Sequence, residues 1–189
     1  MRRLLIFTIS VFSAINIYAQ NETLSAKQAK AAIKTIKQNL KSGQKLDESA
    51  KLIAPLLKQH PYSAEASNYD MAGRIQQGIY EAENRKLYLK KNYDTLKLYN
   101  AYYNMFTLYM QCDSVESITG KFSFRRKNQK TLLPLRSNIL YIGQSHLQRR
   151  HWSEACRFLD LYQTTATHSL FADENLQNDT LLPYAEYLV

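Results

Sequence analysis

Apolar side chains recur every three or four positions along most of this chain, with polar ones between them, so the pattern predicts a string of helices. Ser25 to Leu40 reads as the first. Ala29, Ile33, Ile36 and Leu40 share one face, Lys30, Lys34, Lys37 and Lys41 follow one position later, and Ser42-Gly43 stops it. Asp47 is the expected cap of a second helix that runs to His60 and ends at Pro61, with Ala50, Ile53, Ala54, Leu56 and Leu57 inward and Pro55 as a kink. A third spans Ser63 to Tyr80, with Ala66, Tyr69, Ala72, Gly73 and Ile75 inward. A fourth spans Glu81 to Lys91, anchored by Leu87 and Tyr88. Asp94 caps a long fifth helix that ends near Cys112. Leu96, Tyr99, Tyr103, Phe106 and Met110 form its seam, widened by Tyr102 and Tyr109.

Residues 113–131 carry the weakest pattern. Asp113 starts a short helix broken by Gly120, Phe122 and Phe124 alternate with polar residues as in a short strand, and Arg125 to Lys130 is a basic loop. Helical spacing returns over Leu132 to Arg149, settling after Pro134, and over Trp152 or Ser153 to Thr165. Asn178 or Asp179 caps a last helix from Leu181 to Val189. The connections are mostly short, which makes neighbouring helices antiparallel.

The first residues belong to a different pattern. Arg2 and Arg3, the apolar stretch Leu4 to Ala14, and a small residue at Ala19 ahead of Gln20 have the layout of a secretory signal peptide over residues 1–19. The domain is then residues 20–189, exported to the periplasm or outer envelope. The formal charge of +9 falls to +7 with Arg2 and Arg3 gone, since no acid leaves with them. A positive exported domain suits anionic envelope partners better than nucleic acid. The only cysteines, Cys112 and Cys156, read as buried free thiols.

A repeat is visible in the small residues. Ile139 precedes Gly143 by one turn, and Ala155 follows twelve positions later, with His146, Leu159 and Tyr162 at the flanking positions. Tyr69 and Gly73 repeat the bulky-then-Gly step 70 residues earlier, close to two 34-residue periods. Arg85 falls where the matching small residue belongs, Asp47 to Pro61 resembles only a closing half, and the hairpin from Asp94 fits by length alone. With Glu83 to Leu89 and Phe158 to Tyr162, these stretches resemble the divergent tetratricopeptide proteins exported by Bacteroidetes, over residues 25–189. The resemblance implies an all-α fold of antiparallel hairpins stacked as a right-handed solenoid, and protein interaction at the cell envelope without assigned chemistry.

The 14 tyrosines have two readings. They fill crossing points between helices, or Tyr99, Tyr102, Tyr103 and Tyr109 form an aromatic ladder for a ligand. The apolar ending Leu181, Leu182, Tyr184, Ala185, Tyr187, Leu188 and Val189 lacks the polar outer face of a capping helix, so either further repeats or a partner is expected to cover it.

No constellation for chemistry emerges. His60, His146, His151 and His168 lack metal spacing, the cysteines lack catalytic context, and five scattered glycines build no phosphate loop. No cofactor, metal or catalytic residue is therefore expected. The lysine stripe from Lys27 to Lys41 and the Arg125-Arg126-Lys127 tip are candidates for peripheral contact with phosphates or anionic lipid; the stripe reads first as a solvated face, and the tip is the better candidate. Asp94-Thr95-Leu96, Asp113-Ser114-Val115 and Asp179-Thr180-Leu181 resemble the O-glycosylation acceptor of exported Bacteroidetes proteins, which would modify Thr95, Ser114 and Thr180. Helix capping by the aspartates is the competing account.

The preferred function is thus a non-catalytic scaffold that holds a protein or peptide partner, with Tyr69, Tyr99, Tyr103 and Tyr141 as the expected contacts. The alternative is a carbohydrate-binding accessory protein in which exposed tyrosines and Trp152 stack on a glycan. An unrecognised hydrolase has no residue support.

Overall fold

The computed structural model describes residues 24–188. The signal peptide read over residues 1–19 and the final Val189 lie outside the described residues. Eight α-helices joined by short links and 3-10 turns make up the described chain, and no strand occurs among the described residues.

Helix α1 (Ala26–Ser42) starts on a reciprocal cap. Ser25 Oγ accepts from the Gln28 amide, and Gln28 Oε1 accepts from the Ser25 amide, so two amide donors at the helix start are satisfied. Gly43, at φ +67°, ends it as expected, with its N–H on the Asn39 carbonyl. Helix α2 (Leu46–Lys58) begins two residues earlier than the Asp47 cap predicts. Lys45 holds the N-cap position in the left-handed region, and Asp47 lies in the first turn, where it accepts from Lys97 Nζ at 2.6 Å. Pro55 lies inside α2 on its exposed side.

The expected third and fourth helices are one, α3 (Ala66–Tyr88), because nothing between Tyr80 and Glu81 interrupts the backbone ladder. Leu87 and Tyr88 are not anchors. They are 41% and 85% exposed, and the helix is fastened instead by buried Glu83, which accepts from the Asp94 amide at 3.1 Å and from Lys86 at 2.7 Å. Helix α4 (Thr95–Thr119) begins at the expected cap, Asp94, whose side chain accepts from the Lys97 amide. It runs past Cys112 to Thr119, and its seam differs from the expected one. Leu96 is exposed, and Leu98, Tyr102, Met105, Phe106 and Tyr109 are buried.

The extra turns of α4 have a use. Asp113 and Glu116 are buried there and hold the start of α5 (Arg125–Leu132). Glu116 accepts from the backbone amides of Ser123, Phe124 and Arg125, an acid set at a helix N-terminus. Asp113 receives both arms of Arg125, at 2.5 and 3.0 Å, and the Ser169 hydroxyl at 2.6 Å. The region read as a basic loop with strand-like alternation is therefore a tethered helix. Helices α6 (Arg136–Gln148), α7 (Trp152–Thr167) and α8 (Leu182–Leu188) follow, with two 3-10 turns over 169–178 that the pattern did not predict. Buried Arg136 joins three of these pieces. It donates to Thr165 at 2.8 Å and to Asp179, and its guanidinium lies 3.9 Å over the Tyr162 ring.

Most consecutive helices pack on one another, and three glycines lie at the contacts, Gly78 of α3 meeting Leu46 of α2 so closely that a Cβ there would lie 2.6 Å from it. A Cβ on Gly73 would lie 2.5 Å from the Tyr109 ring, and one on Gly143 would lie 2.9 Å from Leu159. Ile139 and Ala155 are fully buried beside the second contact, so the residues of the repeat pattern do bring helix pairs together. Arg85 mismatches the repeat because it lies on α3 itself, while the helix packed on Gly73 is α4.

Two apolar clusters result. One joins α1, α2 and α3 through Ala29, Ile36, Ile53, Leu56 and Ile75, and the other joins α4, α6 and α7 through Tyr102, Phe106, Ile139, Phe158 and Tyr162. Each large side chain so buried contributes about 1.5–3 kcal/mol. Half-buried Tyr80 packs against both clusters.

Candidate functional site

The longer-than-expected α3 lays one face along a concave surface. Gln77, Tyr80, Glu81, Asn84 and Leu87 recur at helical spacing and so share one face. Glu81 and Asn84 are exposed on it and Gln77 is half-buried. Gln77 is itself positioned by the Gly73 contact: the Tyr109 ring lies over Gly73, and the Tyr109 hydroxyl donates to Gln77 Oε1 at 2.8 Å, one turn further on. The Gln77 amide in turn donates to Glu81 at 2.8 Å.

Opposite this face stand α5 and α6. With Ser123, Arg126, Lys127, Lys130, Thr131, Pro134 and Leu135, the α3 residues enclose a cleft of about 920 Å³. A second hollow of about 270 Å³ adjoins it, sharing Tyr80 and Asn84, and is closed by Leu98, Tyr99, Tyr102, Asn138, Tyr141, Ile142 and Ser145. Tyr80 stands at the join, its ring edge-on to Tyr102 with centroids 5.0 Å apart. Burial, and then the charge of Glu81, push the Tyr80 hydroxyl above its ordinary pKa, so it stays a neutral donor. The Tyr102 hydroxyl, driven higher still by burial, donates to the Leu135 carbonyl and fixes the link between α5 and α6.

The two ends differ in chemistry. Arg126 and Lys130, one turn apart, form no ion pair among the described residues, whereas Lys127 is held by buried Asp70 at 3.1 Å. That end is cationic. The other end presents Tyr80, Leu87, Leu98, Tyr99, Tyr141 and Ile142, an apolar and aromatic wall. Asn84, shared by both hollows, and Asn138, in the aromatic one, offer exposed side-chain amides, each able to donate and accept at once, as a peptide backbone does.

Of the residues expected to bind, Tyr99 and Tyr141 line this surface, Tyr141 being 64% exposed. Tyr103 does not. Arg157 lies 3.7 Å above its ring, and it lines a separate hollow with Met110, Ser114 and His168. Tyr69 is half-buried on α3 and lines neither part of the cleft, and Trp152, 60% exposed at the start of α7, lies outside it. The four-tyrosine ladder does not form, because Tyr102 and Tyr109 are core. Tyr80, Asn84, Asn138 and Lys130 are lining residues that sequence reasoning missed as contacts, while Arg126, expected at a basic tip facing anionic lipid, lines the cleft instead.

The remaining candidates have structural employment. Asp94 caps α4, Asp113 is wholly buried against Arg125, and Asp179 accepts from Arg136, Tyr162 and the Leu181 amide. Thr95 and Thr180 are exposed beside these acids, while Ser114 lies mid-helix with its hydroxyl on the Met110 carbonyl. Cys112 is buried, its thiol pushed up to about 12 by burial, and Cys156 is half-buried; neither is in a disulfide. His146 is buried, stacked on Phe158, and burial holds its pKa below the ordinary value. No group of three His, Cys, Asp or Glu side chains able to hold a metal occurs among the described residues. No described helix is long and apolar enough to cross a membrane. Neither the known protein families, nor the curated proteins, nor the solved structures contain a match to this chain.

Proposed function

We propose that this protein is a non-catalytic binding scaffold of the cell envelope, whose cleft between α3, α4, α5 and α6 holds an extended peptide segment of a partner protein. The observation that carries the reading is the change of chemistry across two adjoining hollows that share Tyr80 and Asn84: cations at Arg126 and Lys130 in one, and the Asn138 amide with the wall of Tyr99 and Tyr141 in the other. A segment with acidic residues followed by an aromatic or branched side chain meets each of these in turn. Aromatic anchors in a preformed groove are where binding energy concentrates. The close helix contacts at Gly73 and Gly143 favour a tetratricopeptide-like arrangement of hairpins, coiling as a right-handed solenoid with this cleft on its inner side. The signal-like residues 1–19 favour export.

Panning a displayed random-peptide library against the folded domain tests the reading. Selected peptides should carry the acidic-then-aromatic order and lose at least tenfold in affinity on Tyr141→Ala or Asn84→Ala, each a contact of about 1 kcal/mol or more. Binders indifferent to both substitutions, or no binders at all, would sink it.

A further inference from the structure

The charge of the described chain is concentrated at one end. Residues 24–60, covering α1 and α2, hold eight lysines, no arginine and two acids, a net +6. Residues 61–188 hold fifteen cations and thirteen acids, a net +2. Helix α1 has five lysines and no acid, and Lys27, Lys30, Lys34, Lys37 and Lys41 are all exposed. Their steps of three and four place them in one line along the helix, about 21 Å long. None of the five enters an ion pair among the described residues. In residues 61–188 five of the fifteen cations, Lys86, Lys97, Arg125, Lys127 and Arg136, are each paired with an acid. The adjoining face of α1, about 100° round the helix, is committed to the core through Ala29 and Ile36, so the lysine line has a fixed orientation.

We propose that the α1 lysine line is a docking surface for an anionic lipid bilayer, on which the protein lies with α1 parallel to the membrane plane. The side chains choose among anionic partners. A straight row of ammonium groups matches a plane of phosphate headgroups, whose charge is spread out and mobile, and needs no bidentate fork of the kind arginine provides. Residues 24–58 contain no aromatic side chain, so the surface has nothing on which nucleobases or sugar rings could stack. Helix α1 exposes no large apolar side chain either, so it rests on headgroups and does not insert. Docking through α1 leaves the cleft formed by α3, α4, α5 and α6 unused and does not depend on it.

Flotation of the full described domain with vesicles tests this. It should float with phosphatidylcholine vesicles containing about one third phosphatidylglycerol and not with phosphatidylcholine alone, and raising the salt to about 0.5 M should release it. Replacing Lys30, Lys34 and Lys37 together by Gln should weaken partitioning on the order of 100-fold. Replacing Arg85, Arg149 and Arg150 by Gln, an equal loss of exposed charge elsewhere, should change it less than about threefold. Circular dichroism confirms that both variants are folded. Absence of flotation with the anionic vesicles, equal losses in the two variants, or retention on an acidic polysaccharide without flotation would each overturn the proposal.

Discussion

The two apolar clusters solve the same packing problem by different means. Around α1 and α2 the interior is aliphatic, with Ser49 the one fully buried polar side chain and every charge outside; in this cluster buried charge enters only on α3, at Asp70 and Glu83. Around α4 to α8 the interior is aromatic and carries charge inside it: Asp113, Glu116 and Arg136 are all nearly inaccessible. The first region can change its surface freely, since its fold rests on shape. The second has its short helices placed by ionic contacts, because α5 and α8 are too short to be held by apolar area alone. The cleft lies on the second region's side of the join, where helix positions are most fully determined.

The comparison is broken most forcefully at Arg136. Arg136→Ala should destabilise by about 3–5 kcal/mol in chemical denaturation, since Asp179 loses its cation and Thr165 and Tyr162 lose a shared partner. A loss below 1 kcal/mol would mean the buried charge has no positioning role. Next is the helix contact shared by both regions. Gly73→Val should cost about 2–3 kcal/mol, because its side chain enters the space of the buried Tyr109 ring. Tyr109→Ala in the same chain should recover part of that loss, whereas strictly additive effects would deny the contact.

The pH dependence should also separate the regions. The folded pKa of His146 lies below its ordinary 6.5, chiefly through burial, so the unfolded chain binds the proton more readily. His168 is lowered for the same main reason. Their contribution to stability is complete above about pH 6.5 and is lost as pH falls through the lower folded values. Asp179 and Glu83, both held low, Glu83 by its Lys86 hydrogen bond first, add a second loss in the acid range below the ordinary carboxylate values. His146→Phe should flatten the first step in a melting series; an unchanged slope near pH 6 would show that His146 does not produce it. The smallest effect belongs to α1. Lys34→Gln should shift stability by no more than about 0.5 kcal/mol, as expected for an exposed side chain outside any ion pair.

What the sequence made legible follows this division. Capping and close-packing chemistry is local, so Gly43, Asp94, Gly73 and Gly143 could be assigned from their neighbours in the chain. The cleft could not, because its lining comes from four helices. Ending a helix at Tyr80 also cut the stripe Gln77, Tyr80, Asn84, Leu87 in two and hid its common face. The α5 region misled for a related reason. Its weak apolar pattern reads as a loop, and its helix is specified by acids of α4 whose partners lie 7 to 12 residues away. Tyr99 and Tyr141 were found as candidate contacts, but the tyrosine count could not distinguish them from Tyr102 and Tyr109, which burial alone sorts.

The central claim is that ligand binding occurs where Asn84 and Asn138 face the aromatic wall. Nuclear magnetic resonance of the folded domain, titrated with a peptide selected on it, reads this directly. The side-chain amide signals of Asn84 and Asn138 should move on binding, while the indole N–H of Trp152, the single tryptophan, stays in place. Movement of the Trp152 signal with both asparagine signals unchanged would contradict the account.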